Sequence, residues 1–422
     1  MNYDLDGLSP RVREAADCAR RRAEGAWDRI DDAVFSNQKR VLDAFIRERV
    51  SLTHLWPSTG YGYGDEGRSA LERVYARVFG AEAALVRMHW ASGTHVLKTA
   101  LHGLLRPGDG LLSVTGRPYE TVMPILKSLS SDWRVSYKES SCLLEYQSGR
   151  LAEDGLERAL SDEIGESTRV MLVQRSRGYS ARQSLNLGTI ETLSRIVRRR
   201  WPHVVTLVDN CYCEFVQSAE PPSVGADLAV GSLIKNPGGG ICPTGGYVAG
   251  RRDCVRKVAE ALYAPGLGDE VGSNPYGYRD MFQGLFMAPK TVGQALKGAV
   301  FASAFFRELG LDVDPEPSDE RFDIVQAVTL GSAERLSAFA SCIQHWSPVD
   351  SFAEPEPWDM PGYEHKIIMA AGTFVQGSSI ELSCDAPFVP PYTAYLQGGL
   401  SKEHVILACL MTGQALADRA LI

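Results

Sequence analysis

The chain has 422 residues, 44% of them hydrophobic and 23% charged, with a formal net charge of -8, which is the composition of an ordinary globular enzyme with an ample core. The acidic balance leaves no basic footprint for nucleic acid, and the arginine runs at 20–22 and 198–200 lie in helix-like stretches as solvated faces. No run of about 18 apolar residues is present to span a membrane, and the start Met-Asn-Tyr-Asp-Leu-Asp lacks a basic region followed by an apolar one, so a cytoplasmic protein is expected.

In chain order, Ser9-Pro10 opens a helix by the cap and first-turn rule, running to about residue 24, and a second helical stretch covers residues 37–50. Residues 1–55 therefore read as a helical arm. Alternating glycines and tyrosines follow in Gly60-Tyr-Gly-Tyr63, a shaped loop that is neither strand nor helix. A helix over 69–79 and a strand over 83–86 lead into Ala91-Ser-Gly-Thr94 and a helix from His95. Strand, Ser-Gly-Thr, helix is a phosphate cradle: free amides at the helix start and the hydroxyls of Ser92 and Thr94 suit a dianion, although the same residues also make a plain helix cap. Strands at 111–114, about 135, 170–173, 204–208, 228–230 and 247–249 then alternate with helices. That alternation predicts a mostly parallel α/β sheet covered on both faces, with its ligand site at the carboxyl ends of the strands. A long helix from Pro289 to about residue 309 leads into an α+β remainder with strands at 324–330, 366–374 and 379–383. The domain division expected is 1–55, 56–290 and 291–422.

Two strand ends carry the chemistry. Asp209 ends one apolar run, and Lys235 follows another, just before the glycine-rich segment Pro237-Gly-Gly-Gly240. Pyridoxal 5'-phosphate (PLP) is held by a lysine amine and needs a carboxylate to keep its pyridine nitrogen protonated. A snorkelling surface lysine and a helix-capping aspartate are the bland alternatives. The nine cysteines are scattered without CxxC spacing, so neither a disulfide framework nor a metal site is expected, and Cys211 and Cys213 read as buried thiols beside the cofactor.

The words Ala91-Ser-Gly-Thr-His95, Gln174-Arg-Ser-Arg-Gly-Tyr-Ser180, Val208-Asp-Asn-Cys-Tyr212, Gly231-Ser-Leu-Ile-Lys-Asn-Pro-Gly-Gly-Gly240 and Gly372-Thr-Phe-Val-Gln-Gly-Ser-Ser379 carry a resemblance. The chain resembles the aluminium-resistance or methionine γ-lyase-like family of fold-type I PLP enzymes, with an aspartate aminotransferase-like large domain and a smaller α+β domain. The resemblance implies that Lys235 holds PLP and acts as base, that Asp209 serves the pyridine nitrogen, and that Ser92, Gly93, Thr94 and Ser232 bind phosphate. It also implies that Tyr119 stacks on the ring and that Tyr61 or Tyr63 reaches the phosphate of a neighbouring subunit, giving a homodimer with shared active sites or a homotetramer.

Where similar enzymes clamp the substrate carboxylate with an arginine, this chain has Glu381, and Arg175 and Arg177 are the expected replacements because a guanidinium pairs with a carboxylate bidentately. The activity implied is γ-elimination from a γ-substituted L-amino acid with a thiolate or halide leaving, including conversion of 4-chloro-allylglycine to propargylglycine in terminal-alkyne amino acid biosynthesis. Methionine or cystathionine γ-lyase, a β-eliminating cysteine lyase, an aminotransferase and a non-catalytic metal-resistance factor are the alternatives. Lys235 is expected to have a depressed pKa as the base, supplied by partial burial and the cationic ring system of the cofactor.

Overall fold

The computed structural model describes residues 7–360 and 362–422, so the segment 1–6 read for a signal peptide and the loop proline Pro361 lie outside the described residues. Helix α1 (Pro10–Arg47) starts on Ser9, whose hydroxyl accepts from the Val12 amide. Then come α2 (Glu66–Phe79), β1 (Ala83–Arg87), α3 (Gly93–Leu104), β2 (Gly110–Ser113), α4 (Met123–Trp133), β3 (Ser136–Glu139), α5 (Cys142–Gln147), α6 (Glu153–Glu163), β4 (Thr168–Gln174) and α7 (Leu187–Arg200). Strands β5 (Val205–Asp209), β6 (Leu228–Ser232) and β7 (Gly246–Gly250) precede α8 (Arg252–Leu262) and α9 (Arg279–Glu308). The remainder is β8 (Asp312–Asp314), β9 (Val325–Thr329), α10 (Ala333–His345), β10 (Ile367–Ala370), β11 (Ser383–Pro387), β12 (Thr393–Gln397) and α11 (Lys402–Asp418).

The first sheet has seven strands in the order β1-β7-β6-β5-β4-β2-β3. Its strands run parallel except β7, which is antiparallel to both β1 and β6. Because β4, β5 and β6 are covered on both faces, they read as unbroken apolar runs, as in Val170-Met-Leu-Val173 and Leu228-Ala-Val230, all buried. This is the mostly parallel α/β architecture expected. A second sheet, β10-β11-β12-β9-β8, is antiparallel throughout.

The strand expected at 366–374 ends at Ala370 and the helix expected at 69–79 begins at Glu66, and three further differences have a physical reason. Two N-terminal helices were expected and one is found, because a buried stripe at Ala15, Ala19, Ala23 and Ala26 continues through Asn37, Val41 and Ala44 and carries the helix past Gly25. That stripe lies along α9, where Trp27 donates its indole N–H to the Lys297 carbonyl at 3.0 Å and Lys297 pairs with Asp31 at 2.5 Å. Helix α9 also starts a good ten residues before Pro289, which sits inside it and is fully enclosed. The strand expected at 379–383 instead begins at Ser383. Glu381 explains the delay: its carboxylate accepts from the amides of Phe374 and Val375 at 2.8 and 3.0 Å, which ties the segment into a turn.

Candidate active site

The carboxyl ends of β4, β5 and β6 and the start of α3 face the second sheet across a cavity of about 250 Å³. In the parallel ladder Gln174 lies beside Asp209, so both side chains fall on the cavity side, and both line it. The Asp209 carboxylate accepts from the Cys211 amide at 3.2 Å. Beyond it the chain turns sharply, with Tyr212 at φ 73°, a conformation that costs a non-glycine residue energy and that clusters at functional sites.

After β6 a tight turn brings the Lys235 amide to the Ser232 carbonyl at 3.3 Å. Lys235 is thereby turned into the cavity, with Nζ 4.1 Å from the centre of the Tyr212 ring. The turn tolerates no side chain at Gly238, where a Cβ would stand 1.7 Å from the Leu233 carbonyl oxygen. Burial acts to lower the Lys235 pKa, while the acidic groups facing it, Cys211, Tyr212, Asp209 and Glu214, act to raise it in their ionised forms, and the net direction is upward. The depressed value expected for this lysine is therefore not found in the free protein. Burial pushes the Cys211 thiol and the Tyr212 phenol up in turn.

Gly93 and Thr94 line the cavity at the start of α3. Ser92 caps that helix by accepting from the His95 amide at 3.1 Å, which leaves the first two helical amides open. The Thr94 hydroxyl contacts that of Thr121 at 3.1 Å. Ser232 is buried behind them, its hydroxyl accepting from the Ile234 amide at 3.4 Å, and a Cβ on Gly93 would stand 3.5 Å from that of Ser232. Neither Ser92 nor Ser232 lines the cavity itself. Tyr119 does, within an aromatic group that packs its ring edge-on to Tyr179 and Tyr363 at 5.4 and 5.9 Å between centres, with its hydroxyl bonded to that of Tyr363. Burial raises the Tyr119 pKa well above that of a free phenol.

Neither expected substrate arginine reaches the cavity. Arg175 follows Gln174 and precedes Ser176, both cavity-lining, and so points the opposite way. It is wholly buried and donates to the carbonyls of Leu185 and Cys213 and to the side-chain oxygens of Asn210 and Gln217. Arg177 is taken up by Asp314, at 2.6 Å to the carboxylate and 2.9 Å to the carbonyl. Cys213 is buried away from the cavity, with its carbonyl on Arg175. Tyr61 and Tyr63 stack on each other at 5.4 Å and lie 70% and 62% exposed on the outer surface. Sequence reasoning passed over Tyr179, Tyr363 and Asp385, which line the cavity. Alternation in Ser383-Cys-Asp-Ala386, polar then apolar, was the signal available for Asp385.

An amine and a carboxylate on neighbouring strand ends, open helix amides with a threonine hydroxyl, and a buried tyrosine ring suit the amine-reactive carbonyl, ring nitrogen, phosphate and ring face of PLP. Fold and site together define a fold-type I PLP-dependent enzyme. The family model for methionine γ-lyase matches residues 12–417, and the chain belongs to that family, whose members are PLP-dependent carbon–sulfur lyases. YnbB of Bacillus subtilis, itself described as uncharacterized, is 44% identical over 400 residues, which are 94% of each chain. The solved structure of a carbon–sulfur lyase involved in aluminum resistance from Clostridium novyi is similar with a TM-score of 0.89, at 42% identity over 96% of each chain. Cystathionine γ-lyase from yeast shares the fold at 18% identity and a TM-score of 0.57, over 82% of this chain and 85% of that one. No helix among the described residues is long and apolar enough to cross a membrane.

Proposed function

We propose that this chain catalyses γ-elimination from a γ-substituted L-amino acid, expelling a thiolate or a halide. The observation that carries the reading is Lys235 turned into the cavity over the Tyr212 ring, in a cavity that Asp209 and Tyr119 also line. When bound, PLP would supply an electron sink for the negative charge that develops at the substrate's α-carbon. Lys235 would hold it, and its freed Nζ would take the proton at Cα. Asp209, at the end of β5, would serve the ring nitrogen, and Gly93 and Thr94 would receive the phosphate, with Ser92 and Ser232 shaping the turn and strand end behind them. Tyr119, whose raised pKa keeps it a phenol at neutral pH, retains a proton for a departing thiolate. A halide needs no such acid. The name of the Clostridium novyi relative favours a thiolate, while 4-chloro-allylglycine going to propargylglycine is the halide form of the same chemistry.

A second copy of the chain is part of the proposal. Leu52, Trp56, Tyr61, Tyr63 and Tyr276 form an exposed apolar face, tied together where Ser58 and Asn274 exchange hydrogen bonds. A homodimer, or a tetramer of two such pairs, would cover it and bring Tyr61 or Tyr63 to the partner's cavity.

The test mixes the purified protein with L-methionine, L-cystathionine and 4-chloro-allylglycine and analyses the products by mass. Thiol with an α-keto acid identifies a sulfur amino-acid γ-lyase, and chloride with an alkyne amino acid identifies the halide reaction. Pyruvate as the keto acid would mean β-elimination and would refute the proposal. Lys235→Ala should abolish both turnover and the cofactor absorption band.

A further inference from the structure

The second sheet also contributes a wall of the cavity that Lys235 enters. Cross-strand pairing sets Met369 beside Asp385 and Ser383 beside Gln397, and alternation along β11 turns Ser383 and Asp385 into the cavity while Cys384 and Ala386 face the apolar core. Asp385 is 4% exposed. One of its oxygens is satisfied, accepting from the Tyr179 hydroxyl at 2.7 Å and from the Gln397 amide at 2.8 Å. Its other oxygen, Oδ1, is buried with no donor, and so are the hydroxyls of Ser378 and Ser383 on the same wall.

A buried carboxylate with an open oxygen costs stability unless a cation or donor completes it. Among the described residues lining the cavity Lys235 is the one cation, and the proposed function commits it to PLP. Among the described residues no arginine lines the cavity, and Lys235 is the cation that acts on Asp385 within it, so once PLP occupies Lys235 the balancing charge would come with the ligand. Burial raises the Asp385 pKa, the direction that an arriving ammonium reverses.

We propose that Asp385 is a substrate-recognition residue whose free oxygen takes an ammonium group of the substrate, either the α-amino group as it approaches Lys235 or a second amino group ending the side chain. The inference rests on the proposed function in requiring an amino-acid substrate. It replaces recognition by arginine, which the positions of Arg175 and Arg177 remove, with recognition by an acid.

The test is calorimetric titration of the holoenzyme and of Asp385→Asn with N,N-dimethylbutylamine, which is protonated at neutral pH and, as a tertiary amine, cannot form an imine. Affinity should fall by about 30-fold or more in the variant, as expected for loss of a buried charge partner, while the cofactor band stays in place. L-norleucine and L-lysine locate the amino group: an equal loss for both assigns the α-amino group, and a loss confined to L-lysine assigns the side chain. Affinities unchanged within about twofold for all three ligands would overturn the proposal. If the variant fails to fold, the wild-type holoenzyme decides, because it must prefer the tertiary amine to pentanoate, and the reverse preference would overturn the proposal. A cofactor band that no amino acid shifts would count against the proposed function and is read separately from the tertiary-amine titration.

Discussion

Replacing Arg175 by leucine separates a structural arginine from a substrate clamp. The substitution keeps an apolar stem and removes four hydrogen bonds, to Leu185 O, Asn210 Oδ1, Cys213 O and Gln217 Oε1, at 3.2, 2.8, 3.4 and 2.7 Å. At about 1 kcal/mol net for each bond to these neutral oxygens the loss is about 4 kcal/mol. The loop that loses its anchor is the one carrying Asp209, Cys211 and Tyr212, and the Asn210 side chain would keep its contacts to Glu220 and Tyr247 while its backbone stays bonded to Val230 and Cys213. Urea unfolding followed by tryptophan fluorescence reads the stability, and steady-state kinetics per cofactor-bearing site reads the chemistry. The expected result is a large drop in midpoint with KM changed little in the molecules that remain folded. A stability loss below about 1 kcal/mol together with a KM raised about tenfold would restore Arg175 as the clamp and refute this reasoning.

Glu214 gives a pH-dependent prediction. Burial, reinforced by Glu220, pushes its carboxyl up to about 8, so the folded protein keeps the proton that the unfolded chain releases near pH 4.5. Its stabilising effect is complete below that pH and is lost as pH rises through about 8. Glu214→Gln, whose amide oxygen can still accept from Tyr247, should match the wild type in acid and become more stable from about pH 4.5 to 8 by up to a few kcal/mol, as thermal melts across that window would show. A flat difference would disprove the buried proton. Two glycines should respond in opposite ways to alanine. Gly238→Ala, with its Cβ 1.7 Å from Leu233 O, should displace Lys235 and reduce cofactor content per chain, whereas Gly25→Ala, with nothing within 4 Å, should stabilise α1 by roughly 0.5–1 kcal/mol. Cofactor absorbance and melting temperature check the pair.

Much of this architecture was legible because it rests on local rules. The alternation of apolar runs with helical patterns located the parallel strands, and Lys235 and Asp209 stood out because each follows such a run. The arginines were misjudged for a reason of geometry: being at a strand end does not say which way a side chain points, and the register of Gln174 beside Asp209 decides it against Arg175. Pro289 looked like a helix start because proline favours that position, yet the tertiary packing of α9 carries the helix through it. Asp385 was not legible as part of the site at all. It lies far along the chain from Lys235, on a strand whose ladder partners decide which way it faces, and such long-range pairing leaves no local signal beyond alternation.

Helix α9 works as the spine of a caliper. Near its start it packs on the loop after Lys235, where Thr291 donates to the Gly239 carbonyl at 3.3 Å, and towards its end Ser303 donates to the Pro315 carbonyl at 2.7 Å, between β8 and β9. The two jaws, one bearing the lysine and the other the Asp385 wall, are thus carried on one rod with α1 strapped along its length. The span between them is built in before any ligand enters, and a molecule too short to touch both jaws would be held at one end only.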